Sequence, residues 1–331
     1  NAFGVDVTLV EMAAHVLPTE DFEVCAVLEK SFKKSGIRVL TGTRARELHK
    51  GANGVLVEVE NNDGDVEDLE ADKALVVFGR TPNTGDIGLR ELGVEIDHRG
   101  YVSVGDYNQA SVDGIFAIGD ITSTPALAHV ASREGEIAVE YMAGHTPAQA
   151  SVDPDLVPSA VYCEPQVAGF GLREDKAEQE GVAYKAVTFP FRAVGKAIAV
   201  GKTDGLVKTL VDPASGEILG AHIVGHNATE LIHQILLART NGLRATDITA
   251  MIHAHPTRSE AILDQMLGVD GSPGHICPLT GARLAPCSGL VQPRRFGPFE
   301  EMQDVGNRHH GVVQGFPLVP GNLPPGISDA A

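Results

Sequence analysis

Apolar and polar positions at the start of the chain follow a pattern that predicts a strand, a helix and a second strand. An apolar run over residues 5–10 predicts the first strand, which ends at Glu11. Apolar positions at helical spacing predict a helix over residues 22–34, with Gly36 as its stop. The apolar residues 37–40 predict the next strand, so the segment is typical of a β-α-β unit.

The next pattern is a strict alternation. Between residues 43 and 69, apolar and polar residues alternate around the turn Asn61–Gly64, which predicts a β-meander or hairpin. Residues 74–78 are all apolar and precede Gly79, so they predict a short, buried parallel strand. We expect a doubly wound nucleotide-binding domain that has an antiparallel insertion and lacks its first unit.

A second unit of this kind spans residues 114–144. The apolar residues 115–118 predict a strand, Gly119-Asp120 predicts a turn, and residues 126–142 predict a helix.

The pattern changes between residues 160 and 268, where strands come first and helices follow. Strands are predicted at 160–162, 182–189, 206–211 and 218–224. Helices are predicted at 228–240, 245–251 and 258–267. This order favours an α+β domain whose helices pack on one face of an antiparallel sheet.

The composition changes again after Gly271. Nine of the 19 prolines fall between Pro273 and Pro325, mixed with glycine and without periodicity. We therefore predict a poorly ordered Pro/Gly-rich tail over residues 272–331. Docking of this tail on a partner, or a foreign origin for it, are the alternatives that the pattern leaves open.

Charge and cysteine content narrow the class of protein. The net charge of −18 repels phosphate backbones and argues against nucleic acid as a partner. The sequence has no run of about 18 apolar residues, which a predicted membrane span would need. It also has no recognisable leader segment. The four cysteines have neither CxxC nor zinc-knuckle spacing, so we expect reduced thiols and a cytoplasmic location.

Glu11 is the first residue with a candidate role. An acidic residue at the carboxyl end of a strand in a dinucleotide fold accepts the ribose hydroxyls of NAD and repels the 2′-phosphate of NADP. The alternative is a solvated Glu at a strand end. The accompanying glycine loop belongs roughly 20 residues upstream, and only ten residues precede Glu11.

Two glycines that follow predicted strands are also candidate cofactor-binding residues. Gly79 lets a flat cofactor approach the backbone closely, although a plain turn glycine is also common. Gly119 allows the same approach, and Asp120 can bind a chain of hydroxyls. The helix that opens at Leu127-Ala128-His129 has free N–H groups that favour an anionic ligand. A turn with an N-cap Asp explains Gly119-Asp120 alone, but not this combination.

The strongest signal is the octet His-Ala-His-Pro-Thr-Arg-Ser-Glu at residues 253–260. Pro256 favours extended geometry at His255, which presents the imidazole from a loop before a helix. Glu260 can reach back to one ring nitrogen and raise the basicity of the other. The pair therefore predicts a His–carboxylate general base. Surface histidines beside a capped helix are the alternative, and no third ligand stands at metal-site spacing.

These segments, in this order, resemble the pyridine-nucleotide disulfide oxidoreductases over about residues 1–270. The octet is closer to the dihydrolipoamide dehydrogenase branch of that family than to glutathione reductase. The resemblance implies a partial NAD-binding domain at 1–85, the rear of an FAD-binding domain at 86–150, and an interface domain for homodimerisation at 151–271. In class terms this is an α/β fold of partial doubly wound domains followed by an α+β domain.

The resemblance also implies roles for individual residues and partners. It implies NAD-dependent oxidation of a dithiol, dihydrolipoamide, through FAD and a redox disulfide, with His255 and Glu260 as acid and base. The partner would be a lipoyl domain of a 2-oxoacid dehydrogenase complex. The cofactor-binding positions would be Glu11, Ala45, Gly79, Gly119, Asp120, Ala126, Leu127, Ala128 and His129.

The sequence departs from this family in one respect. It contains no Cys-x4-Cys and no GxGxxG, so we predict that the chain alone neither oxidises dihydrolipoamide nor retains FAD tightly. Two other functions stay open. One is a non-catalytic dimerising module; the other is a related disulfide or mercuric reductase, for which Cys277 and Cys287 would have to be adjacent.

Overall fold

The computed structural model describes residues 1–269. The strands within this range are β1 Thr8–Val10, β2 Arg38–Leu40, β3 Thr43–Lys50, β4 Val55–Asn61, β5 Val66–Ala71, β6 Ser159–Val161, β7 Gln166–Gly171, β8 Lys185–Pro190, β9 Leu206–Val211 and β10 Ile218–Gly225. The helices are α1 Phe22–Lys34, α2 Ala128–Met142, α3 Glu174–Glu180, α4 Gly195–Ala199, α5 Ala228–Thr240, α6 Ala245–Thr249 and α7 Glu260–Val269. The predicted Pro/Gly-rich tail, with Cys277 and Cys287, lies outside the described residues.

The first region has the predicted β-α-β order. Strands β1 and β2 pair in parallel with α1 between them, and the Asp21 carboxylate caps α1 by accepting the Glu23 amide at 3.0 Å. Strands β3, β4 and β5 form the predicted antiparallel meander. Strand β1 is shorter than predicted, because it begins at Thr8 and not at residue 5.

The predicted buried strand at residues 74–78 is wrong for this structure. The segment belongs to no sheet, and Leu75, Val77 and Phe78 are 88%, 77% and 83% exposed. Strand geometry needs a hydrogen-bonded neighbour, and the described residues supply none at this position. The apolar pattern alone therefore does not produce the strand.

The strand predicted at residues 115–118 is also absent. Phe116 forms only an isolated bridge with Gln109, and Ile118 is partly exposed. The turn and helix that follow are present: residues Gly119–Ile121 form a 3-10 turn, and α2 begins at Ala128, two residues after the predicted start.

The third region is built on a five-stranded antiparallel sheet with the order β6-β7-β10-β9-β8. Sequence patterns predicted β6, β9 and β10 closely and placed the start of β8 three residues early. The pattern analysis missed β7, which lies inside the sheet, and the short helices α3 and α4. Strand β7 contains two glycines and only short apolar runs, so its pattern is weak.

Helices cover both faces of this sheet, so the prediction of a single covered face is wrong. Helices α5, α6 and α7 share one core with Ala221 and Ile223 of β10. On the opposite face, Val24 and Leu28 of α1 pack with Val224. Because neighbouring strand residues point to opposite faces, the alternation along β10 predicts two packed layers.

A polar row crosses the sheet on the α1 face. Each strand contributes one residue, and neighbours along the row are paired in register: Ser159, Gly169, His222, Lys208 and Thr188, all polar except Gly169. The acidic segment before and at the start of α1 lies along this row. Ser159 donates to Glu20 at 3.1 Å, Lys208 to Asp21 at 3.0 Å, and Thr188 to Glu23 at 3.4 Å.

Among the described residues, no helix is both long and apolar enough to cross a membrane.

Candidate functional site

The octet forms a loop that ends at the first residue of α7. The Nδ1 atom of His255 lies 2.7 Å from Oε1 of Glu260, which is the contact expected from the sequence. The second carboxylate oxygen of Glu260 accepts the backbone N–H of Thr257 at 2.8 Å. Both oxygens therefore have a fixed partner, and the carboxylate has one orientation relative to the ring.

The chemistry of this pair follows from the atom that faces the carboxylate. Nδ1 of His255 carries the ring hydrogen and donates a hydrogen bond to Glu260. The other ring nitrogen, Nε2, therefore has a lone pair. The His255 side chain is 77% exposed, whereas the Glu260 side chain is 22% exposed. The arrangement can take a proton from a group outside the described chain at Nε2, with the carboxylate stabilising the imidazolium that forms.

His253 has a different environment two residues away. Its Nδ1 lies 3.1 Å from the carbonyl oxygen of Met251, and its Nε2 lies 2.8 Å from Nε2 of Gln234 on α5. A nitrogen opposite a carbonyl must donate, so Nε2 accepts from the Gln234 amide. Both ring nitrogens of His253 are occupied, which leaves it without an open lone pair for proton transfer.

The second group of candidate residues surrounds Gly119. Its φ is +71°, and its amide donates at 2.7 Å to Oε2 of Glu134, a buried residue of α2. Oε1 of Glu134 has no hydrogen-bond partner. Because the Gly119 amide is already used, a ligand at this edge would meet the exposed carboxylate of Asp120 instead.

The Gly79 and Asp120 segments come together through Arg80. The guanidinium of Arg80 donates to the carbonyl oxygen of Ala126 at 2.6 Å and lies 3.7 Å from the Asp120 carboxylate. Gly79 itself has φ +119°, and nothing lies within 4 Å of a side chain built there. The backbone at Gly79 is therefore open to the approach of a flat group.

The start of α2 holds the remaining residues of this group. Leu127 is the N-cap residue, and no side chain caps the helix. Ala128 and His129 are the first helical residues, and the His129 ring contacts the carbonyl oxygen of Pro158 at 2.9 Å. The uncapped amides at the helix start can donate hydrogen bonds to a negatively charged or electron-rich group.

Glu11 and Ala45 lie together in the first region. The Glu11 carbonyl accepts the amide of Thr43 at 3.0 Å, and Ala45 follows two residues later in β3. One carboxylate oxygen of Glu11 accepts the Ala13 amide at 2.7 Å. The roles of all these residues in cofactor binding stay predictions.

Sequence reasoning missed three residues that shape these groups: Arg80, Glu134 and Gln234. A signal for Glu134 exists, because it shares the inward helical face of Val130, Ile137 and Ala138. A charged residue in an otherwise apolar helical face predicts a buried partner. Arg80 and Gln234 carry no comparable signal, since residues of these two types are common on protein surfaces.

No cluster of three or more His, Cys, Asp or Glu side chains that could hold a metal ion occurs within residues 1–269.

Two models of one known protein family match this chain. A model described as "Pyridine nucleotide-disulphide oxidoreductase" matches residues 1–135. A second model, described as the dimerisation domain of the same family, matches residues 157–266. The chain therefore belongs to the pyridine nucleotide-disulphide oxidoreductase family.

Curated relatives within this family include dihydrolipoyl dehydrogenases. The protein from Mycobacterium leprae is 41% identical over 269 residues, which is 81% of this chain and 57% of the relative. The protein from Geobacillus stearothermophilus is 40% identical over 274 residues, 83% of this chain and 57% of the relative. This chain thus spans less than two thirds of the length of either relative.

Solved structures give the same fold. The structure of LpdA from Mycobacterium tuberculosis matches with a TM-score of 0.73 and 29% identity, covering 81% of this chain and 57% of that one. The flavoprotein disulfide reductase RclA from Escherichia coli matches with a TM-score of 0.72 at 24% identity, covering 80% and 59%. The second match shows the fold alone.

These comparisons confirm the resemblance seen in the sequence, the α/β fold class and membership of an oxidoreductase family that uses FAD and NAD. They also place a dimerisation domain in the third region. The boundaries of the four predicted regions stay a prediction.

Proposed function

We propose that this chain supplies the NAD-binding, part of the FAD-binding and the dimerisation regions of a dihydrolipoyl dehydrogenase. The observation that carries the proposal is the exposed side chain of His255, whose Nδ1 lies 2.7 Å from the Glu260 carboxylate. The relatives named dihydrolipoyl dehydrogenase support this function over the other disulfide reductases.

The proposed step for these residues is proton transfer from a dithiol. A thiol must lose its proton before it attacks a disulfide, because the thiolate is the nucleophile. Nε2 of His255 accepts that proton, and the charged ring then keeps its ion pair with Glu260. Since the His255 side chain is 77% exposed, the thiol and disulfide would come from outside residues 1–269.

The residues around Gly119 fit a flavin dinucleotide in their chemistry. Asp120 offers an exposed carboxylate to hydroxyl groups, and the uncapped start of α2 offers N–H groups. A side chain at Gly119 would lie 3.1 Å from the Cβ of Ala131, so the close turn requires glycine. Bound FAD would supply two-electron transfer between NAD and the disulfide.

Glu11 is proposed to select NAD. Its carboxylate can accept a ribose hydroxyl, and its negative charge disfavours a 2′-phosphate.

The proposed partners are a second copy of the chain and the lipoyl domain of a 2-oxoacid dehydrogenase complex. The dimerisation domain at 157–266 supports the homodimer. A cytoplasmic location is proposed with it, because Cys25 and Cys163 are free thiols and reducing compartments keep thiols in this state.

A chimera tests the proposed function. The residues that precede the aligned region of the Geobacillus stearothermophilus enzyme would be joined to this chain, and NAD-dependent oxidation of dihydrolipoamide would be measured. His255→Gln is expected to lower that rate by about 10²–10⁴-fold, the usual contribution of a general base. NADH oxidation with an artificial dye should be unchanged, since the dye needs no proton from a dithiol.

The exposed His98→Gln variant is the matched control and should retain both activities. Full dihydrolipoamide oxidation by the His255→Gln chimera would disprove the assigned base. A chimera that binds FAD and NADH but never oxidises a dithiol would favour the alternative, a non-catalytic dimerising module.

A further inference from the structure

The octet contains two histidines with the same tautomer and opposite surroundings. In both rings Nδ1 faces an acceptor, the Met251 carbonyl for His253 and the Glu260 carboxylate for His255. At Nε2 they differ, because Gln234 donates to His253 at 2.8 Å while the same atom of His255 lies on an exposed side chain. The difference assigns His253 to structure and leaves His255 for chemistry.

The loop between α6 and α7 is held at both ends. Towards α6, the half-buried His253 ties the loop to Gln234 on α5. Towards α7, Glu260 accepts from the Thr257 amide, and the Thr257 hydroxyl donates to the Ala254 carbonyl at 2.7 Å. His255 lies between these two attachments.

We propose that Gln234 is a positioning residue that fixes the His255 ring through the hydrogen bond it donates to His253. This inference rests on the proposed role of His255 as a base. Helix α5 is a suitable support, because its Ile232 and Ile235 are fully buried in the main core. Gln234 lies between them in sequence and transmits the position of that rigid helix to the loop.

The hydrogen bonds of His255 and Thr257 join them to Glu260 and to the Ala254 carbonyl, all within the octet. Without the Gln234–His253 bond, the His253 ring would keep only its contact with the Met251 carbonyl, two residues away. A loop freed at one end samples more conformations, so the His255–Glu260 bond would be formed for a smaller share of the time.

Gln234→Leu removes the donor and keeps an uncharged side chain of similar bulk. The test is nuclear magnetic resonance on the full 331-residue chain, well above the ordinary imidazole pKa. It measures the tautomer of each imidazole and the hydrogen exchange of the Thr257 amide. In the unchanged chain both octet histidines should be Nδ1–H tautomers.

In Gln234→Leu, the tautomer ratio of His255 should move towards Nε2–H, and exchange at Thr257 should accelerate, each by about fivefold, as expected for one lost hydrogen bond. His253→Leu should give the same changes. The double variant should give no more than either single variant, because both act through one bond.

Gln179→Leu is the matched control, since it makes the same change at an exposed position of α3 and should alter neither signal. If Gln234→Leu leaves the His255 tautomer and Thr257 exchange unchanged, Gln234 does not position the ring. If His255 is an Nε2–H tautomer in the unchanged chain, the base assignment itself is wrong, which is a separate outcome.

Discussion

The Nζ atom of Lys208 lies 3.0 Å from Oδ1 of Asp21, and both side chains are only 1% exposed. Lys208 is central in β9, and Asp21 is the residue that caps α1. Glu174 and the more exposed Glu23 also contact the ammonium. Burial alone would lower the pKa of Lys208, but the hydrogen bonds and charges of Glu174 and Asp21 raise it overall. Lys208 therefore joins the first region to the sheet as a charged ammonium group.

Removing one partner of this pair should destabilise the fold. Lys208→Met leaves Asp21 buried and without its counter-charge, which typically costs about 3–5 kcal/mol. The free energy of unfolding measured in urea should fall by that order. Adding Asp21→Asn to Lys208→Met should restore part of the loss, because the stranded charge is gone. A Lys208→Met chain as stable as the original would show that the pair contributes nothing.

His222, the neighbour of Lys208 in the polar row, should make stability depend on pH. Burial is the largest cause that lowers the pKa of His222 below its ordinary 6.5, and Lys208 and Arg173 act in the same direction. His222 therefore binds a proton more readily in the unfolded chain than in the folded chain. Stability should decline as the pH falls below about 6.5, by at most about 1.4 kcal/mol per pH unit.

The measurement compares urea unfolding of the original chain and His222→Gln across this pH range. Gln keeps a donor for the Leu172 carbonyl, which His222 contacts at 3.0 Å. Glu20 faces the same place, and burial raises its pKa, so its contribution changes with the opposite sign. Glu20 is present in both chains, so the difference between the curves isolates His222. Parallel curves would contradict the prediction.

Cys25 should resist modification in the folded chain. The side chain is fully buried in α1, and burial, followed by the charges of Glu20, Asp21 and Glu29, raises the thiol pKa to about 12. At neutral pH almost no thiolate is present to react. Alkylation followed by peptide mass spectrometry should label Cys25 only after denaturation. Equal labelling rates with and without denaturant would show that the helix opens readily.

Gly119→Ala should destabilise the turn before α2. The backbone has φ +71°, and the new Cβ would stand 3.1 Å from the Cβ of Ala131. Gly114→Ala is a matched control, because its φ is +77° but nothing lies within 4 Å of the new atom. Gly114→Ala should cost about 1 kcal/mol from backbone strain alone, and Gly119→Ala should cost clearly more in thermal unfolding.

The double variant Gly119→Ala/Ala131→Gly separates crowding from backbone strain. It should recover the part of the loss that comes from contact with Ala131 and leave the cost of the positive φ. If the two single glycine variants are equally stable, the close approach to α2 has no energetic weight.

Sequence patterns predicted elements well where one segment alone determines its structure. Helix α1 carries its own cap and apolar face, and its bounds match the prediction at both ends. The same holds for α5 and β9. The His255–Glu260 contact was also predictable, because five residues across a helix start bring the two side chains together.

Patterns failed where the structure depends on distant partners. Residues 74–78 have the composition of a buried strand but no neighbour in the described chain. Strand β7 has a weak pattern, yet it is buried because β6 and β10 enclose it. The Gln234–His253 bond joins residues whose spatial relation depends on how α5 packs, and no local spacing encodes that.

The exposed, unpaired segment at residues 74–78 should make the purified protein prone to aggregation. Unpaired backbone groups flanked by large exposed hydrophobic side chains can form intermolecular β-sheet pairs, which leads to aggregation. At high concentration the purified material should precipitate and take up hydrophobic dyes. Val77→Lys should reduce this precipitation and dye binding, since one charge in such a stretch opposes intermolecular β-pairing.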